Sequence, residues 1–113
     1  MNLTFVEQPL FTRAIIELID DNDYRLFQNE ISQAPERWPM VPGSGGLRKA
    51  RMRLAGRGKR GGARVLYLYF PRHETVCFYL IYLKGEIEDV PKSKMKEIRD
   101  DVQKIKKYYK EET

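Results

Sequence analysis

The pattern of apolar and polar residues is most regular between residues 49 and 54, where the two kinds alternate. Because successive side chains of a β-strand point to opposite faces, this alternation predicts a strand with one buried face and one solvent-facing face. The solvent-facing side of this strand would carry only cations. The apolar set is Ala50, Met52 and Leu54, and the basic set is Lys49, Arg51 and Arg53.

Three other apolar stretches predict further strands. Residues 63–70 and 75–83 are rich in β-branched and aromatic residues, and the turn Pro71-Arg72-His73-Glu74 separates them. We expect them to form an antiparallel hairpin that adjoins the basic strand in a meander. A short apolar stretch from Leu3 to Val6 predicts a first strand.

Apolar residues spaced by three and four positions predict helices. Pro9 suits the first turn of a helix over residues 9–19. Asp20 followed by Asp23 resembles a helix cap with an acid at the third position, and it begins a second helix over residues 21–33. The apolar positions are Phe11, Ile15 and Leu18 in the first helix, Tyr24, Phe27 and Ile31 in the second, and Met95, Ile98, Val102, Ile105 and Tyr109 in a third.

These elements predict a single α+β domain over residues 1–113, with two N-terminal helices packed on a small antiparallel sheet and a C-terminal helix opened by Pro91. The length suits one domain with a modest core. The first residues lack the basic start and long apolar run of a signal peptide. No stretch approaches the ~18 apolar residues of a membrane-spanning helix. We therefore expect a cytoplasmic protein with no membrane partner.

The chain offers few residues for metal or cofactor chemistry. It contains one cysteine and one histidine, which cannot supply the usual four ligands of a zinc site. Cys77 lies in an apolar run and is predicted to be a buried core thiol. His73 lies in a turn at the far end of the strand from Arg64, so it is given no catalytic role. No serine-nucleophile, Walker or dinucleotide motif is present, and no cofactor is expected.

The net charge of +5 is unevenly distributed along the chain. Residues 1–40 carry three cations and seven acids, residues 41–73 carry nine cations and no acid, and residues 74–113 carry nine of each. Basic charge is thus concentrated in the middle third. This concentration indicates a local binding site for a polyanion.

The basic stretch has two parts, a strand followed by a glycine-rich loop. Side chains on one face of a strand repeat about every 6.8 Å, which is broadly similar to the spacing of phosphates along a single-stranded nucleic acid. Residues 55–62 contain four glycines, which let a backbone approach a ligand closely. RNA is the favoured ligand, and a merely solvated basic surface is the alternative. The loop cations are Arg57, Lys59 and Arg60.

Aromatic residues near this stretch have two interpretations. Trp38, in the irregular link before the basic strand, is interpreted as a core residue in preference to a base-stacking platform. The strand tyrosines are interpreted mainly as sheet packing, although one or two on the side of Arg64 would be placed to stack bases. These tyrosines are Tyr67, Tyr69, Tyr79 and Tyr82.

Two motifs and the order of elements resemble the RelE/HigB-type toxins of bacterial toxin–antitoxin modules. The first motif is G-L-R-K-x-R at residues 46–51, and the second is G-x-R-V-x-Y at residues 62–67, after the glycine-rich loop. The similarity covers nearly the whole chain and is strong again at residues 81–84. It implies a RelE-like fold, ribosome-dependent cleavage of mRNA, and neutralisation by a cognate antitoxin that we expect to contain a helix-turn-helix domain.

The resemblance also implies roles for individual residues. Lys49 and Arg51 match a pair of basic residues on the family's strand, and Arg64 matches a basic residue on the next strand. Lys84 matches a basic residue that follows the last strand, although the family's arginine falls nearer Gly85. These four residues are the catalytic candidates.

The chemistry implied is attack of the RNA 2′-OH on the adjacent phosphorus, with a cation cluster stabilising the developing charge. Lys49 is the candidate base, because neighbouring like charges favour its neutral form. The family often has a tyrosine or histidine after the last strand, but residues 87–92 contain neither. The general acid is therefore unassigned. Further salt-dependent RNA contacts are expected from Arg48, Arg53, Arg57, Lys59 and Arg60.

Two alternatives and one partner follow from this interpretation. Without an identified acid, a non-catalytic RNA- or ribosome-binding module is the alternative function. A purely structural protein is the third possibility. If the toxin hypothesis holds, the acidic N-terminal third offers a surface distinct from the cations. We therefore expect the antitoxin to dock at least partly on residues 8–34 and to act mainly by steric exclusion.

Overall fold

A four-stranded sheet with helices on both faces forms the framework of the molecule, and the computed structural model describes residues 2–55, 62–85 and 91–110. The strand order is β1-β4-β3-β2. The predicted α+β class is confirmed, and so is the meander of the last three strands. The strands are β1 (Thr4–Glu7), β2 (Arg48–Met52), β3 (Ala63–Phe70) and β4 (Thr75–Leu83).

The sheet is mixed, which corrects the expectation of a purely antiparallel one. β2 pairs antiparallel with β3, and β3 with β4, but β1 pairs parallel with β4. The physical reason is the connection that follows β1. Two helices carry the chain across one face to the far edge of the sheet, and the meander then returns to β1 with β4 running in the same direction.

One sheet face, here called the closed face, is covered by α1 (Pro9–Leu18) and α2 (Asp21–Gln33), as predicted. Phe78 is fully buried there, and its ring lies 5.0 Å from that of Phe11 and 5.9 Å from that of Phe27. The apolar side of β2 contributes Ala50 and Met52 to the same cluster. The predicted inward face of the basic strand is therefore confirmed.

The cap of α2 is confirmed at Asp20 and differs at Asp23. The Asp20 carboxylate accepts a hydrogen bond of 2.7 Å from the backbone N–H of Asn22. The Asp23 carboxylate is buried and accepts a bond of 3.1 Å from the N–H of Ala55, which lies 32 residues away in sequence. Asp23 thus ties the end of the basic strand to α2.

The opposite sheet face is partly covered by α3 (Met95–Tyr108), which follows Pro91 and a short 3₁₀ turn over Lys92–Lys94. The predicted apolar stripe is confirmed, because Ile98 and Val102 are buried against this face. A Cβ on Gly45 would lie 3.2 Å from a methyl carbon of Val102, and this glycine has a φ of +84°. Glycine therefore lets the loop before β2 pass close beneath the helix.

The predicted core thiol is confirmed, since Cys77 is fully buried in the second cluster. Burial raises the pKa of Cys77 above its usual value, and the side chain of Gln8 donates a hydrogen bond of 3.4 Å to its sulfur. Among residues 2–55, 62–85 and 91–110, none of the helices has the length and apolar character required to cross a bilayer.

Candidate nucleic-acid interface

The meander brings basic residues from distant parts of the chain into neighbouring positions. Arg51 of β2 lies opposite Arg64 of β3, and Arg64 lies opposite Tyr82 of β4. Directly opposed residues of antiparallel strands share a face, with Cβ atoms about 4.5–5.5 Å apart. Arg51, Arg64 and Tyr82 therefore form a row across three strands.

A second row of cations crosses the sheet where β2 and β4 end. The backbone N–H of Lys84 donates a hydrogen bond of 3.0 Å to the carbonyl of Gly62. The register of β2 with β3 ends with Met52 opposite Ala63, so one further step along both strands would bring Arg53 opposite that glycine. A Cβ on Gly62 would lie only 2.9 Å from the carbonyl oxygen of Met52. Glycine at position 62 therefore allows the backbones of β2 and of the start of β3 to approach closely, between the exposed side chains of Arg53 and Lys84.

Lys49 lies on the same sheet face, two residues before Arg51, on the side of the first row nearer α3. It is opposite Leu66, which packs beneath α3, and its side chain is half-buried. Arg64 is also half-buried, whereas Arg51 is exposed. We call these cations together the basic face. Its members are Lys49, Arg51, Arg53, Arg64 and Lys84.

The basic face is the part of its sheet surface that α3 leaves open. Further along β3, Leu66, Leu68 and Phe70 alternate on the same side as Arg64, and they pack with Ile98 and Val102 of α3. The helix thus covers one end of the surface, and the cations occupy the other end. The result is a solvent-facing, positively charged area with a packed wall on one side.

Four cations of this area, Lys49 excepted, have no acidic partner among the described residues. The ion pairs found within the described residues lie on α3 and the turn before it, and none involves Lys84 or the three arginines of the basic face. Like charges placed directly opposite in a sheet are destabilising. The opposition of Arg51 and Arg64 therefore costs free energy in the unbound protein, and a bound anion would remove that cost.

Arg48 is placed differently from the other candidate RNA contacts. Strand alternation puts Arg48 on the sheet face opposite that of Lys49 and Arg51. Its guanidinium donates hydrogen bonds of 3.0 Å to the carbonyl of Glu36 and 2.8 Å to that of Trp38. The structure therefore does not bring Arg48 into the basic face. Its visible role is to hold the link between α2 and β2.

Trp38 lies next to the outer edge of β2, since the N–H of Lys49 donates a bond of 3.0 Å to the carbonyl of Pro39. It packs partly against the core of the closed face, as the sequence interpretation expects. Its ring centroid also lies 5.7 Å from the guanidinium carbon of Arg51. Sequence reasoning missed that second contact, because the contact depends on how the link folds back along β2.

The loop cations Arg57, Lys59 and Arg60 lie outside the described residues. The buried Asp23 carboxylate, bonded to the N–H of Ala55, fixes the point at which this loop begins. The sequence singled out Asp23 only as part of a cap. A buried acid 32 residues from its partner leaves no local pattern that sequence reading would detect.

Helix α3 and the turn before it carry a second group of cations that sequence reasoning missed. Residues 92–110 contain eight cations and three acids, and therefore have a net charge of +5. The net charge summed over residues 74–113 is zero, because that range also includes the acids on either side of the helix. A window limited to the predicted helix would have found the excess of cations.

His73 and Tyr67 lie away from the basic face. His73 is in the turn after β3, at the opposite end of that strand from Arg64, and its Nε2 is 2.7 Å from the carbonyl of Tyr109. Tyr67 faces the closed core, and its hydroxyl donates a bond of 2.7 Å to the carbonyl of Pro35. Burial raises the pKa of Tyr67 to about 12. Of the four strand tyrosines, Tyr82 is the one in the row with Arg64, but it is buried and therefore presents no open ring for a base to stack on.

Neither metal-site geometry nor family comparison adds an assignment. In the described parts of the chain, no three His, Cys, Asp or Glu side chains are grouped so as to hold a metal ion. When the sequence is compared with models of known protein families, no family model matches it.

Proposed function

We propose that this protein is a RelE/HigB-type toxin, an endonuclease that cleaves mRNA on the ribosome. The observation that carries the proposal is the basic face, where five cations from β2, β3 and the end of β4 meet on one open area of the sheet. Such an area fits the phosphates of a single-stranded backbone. The resemblance of the two motifs supports the choice of a nuclease.

The proposed reaction is attack of a 2′-oxygen on the neighbouring phosphorus. Lys49 takes the 2′-OH proton, a bond forms between the 2′-oxygen and phosphorus, and the bond from phosphorus to the 5′-oxygen breaks. The products are a 2′,3′-cyclic phosphate and, once the leaving oxygen gains a proton, a 5′-hydroxyl. Arg51 and Arg64 donate hydrogen bonds to the phosphate oxygens and stabilise the charge that develops there.

The division of roles follows from the side chains. Arginine keeps its proton and presents a planar fork of donors that matches phosphate, whereas lysine is able to lose its proton and act as a base. Lys49 is half-buried beside the arginine row. Lys84 and Arg53 are exposed at the end of the sheet and would hold the flanking backbone.

Growth arrest tests this proposal. Induced expression in bacteria is expected to stop growth, and Lys49→Ala or Arg64→Ala is expected to relieve the arrest at equal expression. Arg72→Ala is the matched control, because Arg72 is an exposed cation in the turn at the other end of β3. Normal growth with the well-expressed wild-type protein would contradict the proposal.

A non-catalytic RNA- or ribosome-binding module is the second candidate. The observation that favours it is the absence of tyrosine and histidine from residues 87–92, of which 87–90 lie outside the described residues. Primer extension on message translated with purified ribosomes separates the two candidates. New message ends indicate the nuclease, whereas ribosome binding without new ends indicates the module.

The proposed partners are mRNA, the ribosome and a cognate antitoxin with a helix-turn-helix domain, and the proposed location is the cytoplasm. For the antitoxin we propose docking at least partly on residues 8–34, with a mainly steric effect. This segment has five acids and two cations. It covers the sheet face opposite the basic face, and it exposes apolar side chains. These are Leu10, Ile16, Leu18 and Leu26.

The location of the antitoxin site is testable separately. If the partner docks on α1 and α2, binding should survive the double substitution Lys49→Ala and Arg64→Ala, and it should depend weakly on salt. Calorimetric titration with the antitoxin at low and high salt measures both effects. A steep loss of affinity with added salt, or in the double variant, would place the partner over the basic face.

A further inference from the structure

The link that carries Trp38 is held by three separate groups of the sheet. The hydroxyl of Tyr67, from the centre of the sheet, donates to the carbonyl of Pro35 at 2.7 Å. The Arg48 guanidinium donates to the carbonyl of Trp38 at 2.8 Å, and the N–H of Lys49 donates to that of Pro39 at 3.0 Å. The backbone on both sides of the tryptophan is therefore fixed against β2.

The Trp38 ring lies between the core and two arginines. The guanidinium carbon of Arg37 is 4.9 Å from the ring centroid, and that of Arg51 is 5.7 Å from it. Both distances are within the ~6 Å at which a cation is attracted to an aromatic face. Both arginines are exposed, whereas the tryptophan is half-buried. A core role alone does not account for two exposed guanidinium groups at one indole.

This arrangement has the parts of a nucleobase site. Unpaired bases of RNA stack on aromatic rings and on the planes of guanidinium groups. A guanidinium that lies against a ring still points its N–H donors outward along its edge. Arg51 is therefore able to bond a phosphate while its plane contacts Trp38 or a base.

We propose that Trp38, together with Arg51 and Arg37, binds one unpaired nucleobase of an RNA strand whose phosphates lie on the basic face. The inference rests on the proposed function for its ligand, and it adds the contact that orients the strand. The fixed link places the stack at the β2 edge, so the base next to the phosphate held by Arg51 turns toward this edge.

Binding of a short RNA tests the site without ribosomes and without cleavage. Trp38 is the sole tryptophan of the chain, so fluorescence excited at wavelengths that tyrosine does not absorb reports on it alone. The probe is a short single-stranded 2′-O-methyl RNA, which lacks the attacking hydroxyl. The comparison strand has the same backbone and length with abasic positions throughout. We expect the strand with bases to quench the fluorescence strongly at saturation and the abasic strand to quench it weakly.

Substitutions at Trp38 supply the second measurement, by anisotropy of a labelled strand at fixed salt. Loss of one stacked base should weaken binding about tenfold. Trp38→Leu should therefore weaken binding of the strand with bases by that factor and leave the abasic strand unaffected. Trp38→Phe keeps an aromatic face and the core contact, and it should restore most of the affinity. Thermal unfolding confirms that both variants are folded.

Three other results would overturn the inference. Equal quenching by the two strands would mean that only phosphates are bound near Trp38. An equal loss of affinity for both strands in Trp38→Leu would mean that the residue acts only through the fold. Absence of binding by both strands at low salt would exclude the site altogether. Base-dependent quenching without new message ends on ribosomes would leave the inference standing and reject the nuclease.

Discussion

The two faces of the sheet differ in what covers them. The closed face is filled by the protein itself, because α1 and α2 bury Phe78 among other aromatic rings. Among the described residues, α3 covers one end of the opposite face, and the basic face occupies the other end. The same strands supply both, since Val65 of β3 is in the closed core while Arg64, the residue before it, is on the basic face. Stability and the proposed RNA binding should therefore depend on alternate residues and be separable by substitution.

The largest expected effect comes from breaking the closed face. Phe78→Ala removes a fully buried ring whose centroid is 5.5 Å from that of Phe5 and 6.4 Å from that of Tyr67. The free energy of unfolding should fall by about 3–5 kcal/mol. Denaturant titration followed by circular dichroism measures the change. Phe78→Leu is the milder control, and a loss below about 1 kcal/mol in the alanine variant would contradict the packing described.

A substitution within the basic face should lower activity and leave the free energy of unfolding nearly unchanged. Under the proposed function, Arg64→Ala removes one donor to the charge that develops on the phosphate, so cleavage of mRNA on the ribosome should slow by about 10²–10³-fold. The free energy of unfolding should stay level or rise slightly, because the like charge opposite Arg51 is gone. Primer extension rates and denaturant titration measure the two quantities on the same preparation. Full activity, or a loss of stability similar to that of a core variant, would refute the separation of the faces.

Two arginines of β2 sharpen the comparison within a single strand. Arg48→Gln removes the guanidinium that bonds two carbonyls of the link, and it should cost about 1–2 kcal/mol of stability. Arg51→Gln should leave stability nearly unchanged and lower the slope of log affinity against log salt by about one phosphate contact. RNA affinity measured at several salt concentrations checks the second effect. An equal change of slope in both variants would show that Arg48 also contacts RNA.

The smallest effect concerns the hydroxyl of Tyr67 on the closed face. Burial raises its pKa from 10.0 to about 12, so folding favours the protonated phenol. Its contribution to stability is present below pH 10 and is lost as the pH rises toward 12. The stability of Tyr67→Phe should therefore fall less between these two pH values than that of the wild type. Parallel pH profiles of both proteins would refute this assignment.

The elements of the fold were largely predictable, because they depend on local patterns. The alternation at residues 49–54, the spacing of apolar residues in α3 and the cap at Asp20 are visible in short windows. The direction of β1 was not predictable in this way. A four-residue strand pairs with whichever edge the tertiary structure offers, and here the path of two helices decides that edge.

The sequence indicated which basic residues form the candidate site, but it did not indicate how all of them are placed. The acid-free run identified Arg51, Arg53 and Arg64, and strand alternation put them on one face. The different placement of Arg48 follows from two carbonyls of an irregular link, and so does the contact of Trp38 with Arg51. Contacts of this kind join residues whose separation carries no period, so no sequence window contains the information.

The parallel pairing of β1 also constrains the order in which the protein is made. Thr4 pairs with Thr75 and Glu7 with Phe78, a separation of 71 residues. A chain growing from its amino terminus has the first strand long before the strand that receives it. The pairing of β1 with β4 is therefore complete only after residue 78 has left the ribosome. Pairings between such distant residues are slow to form. Until then Phe5 has no Phe78 to stack on, so the exposed first strand is the segment that a nascent chain must keep from aggregating.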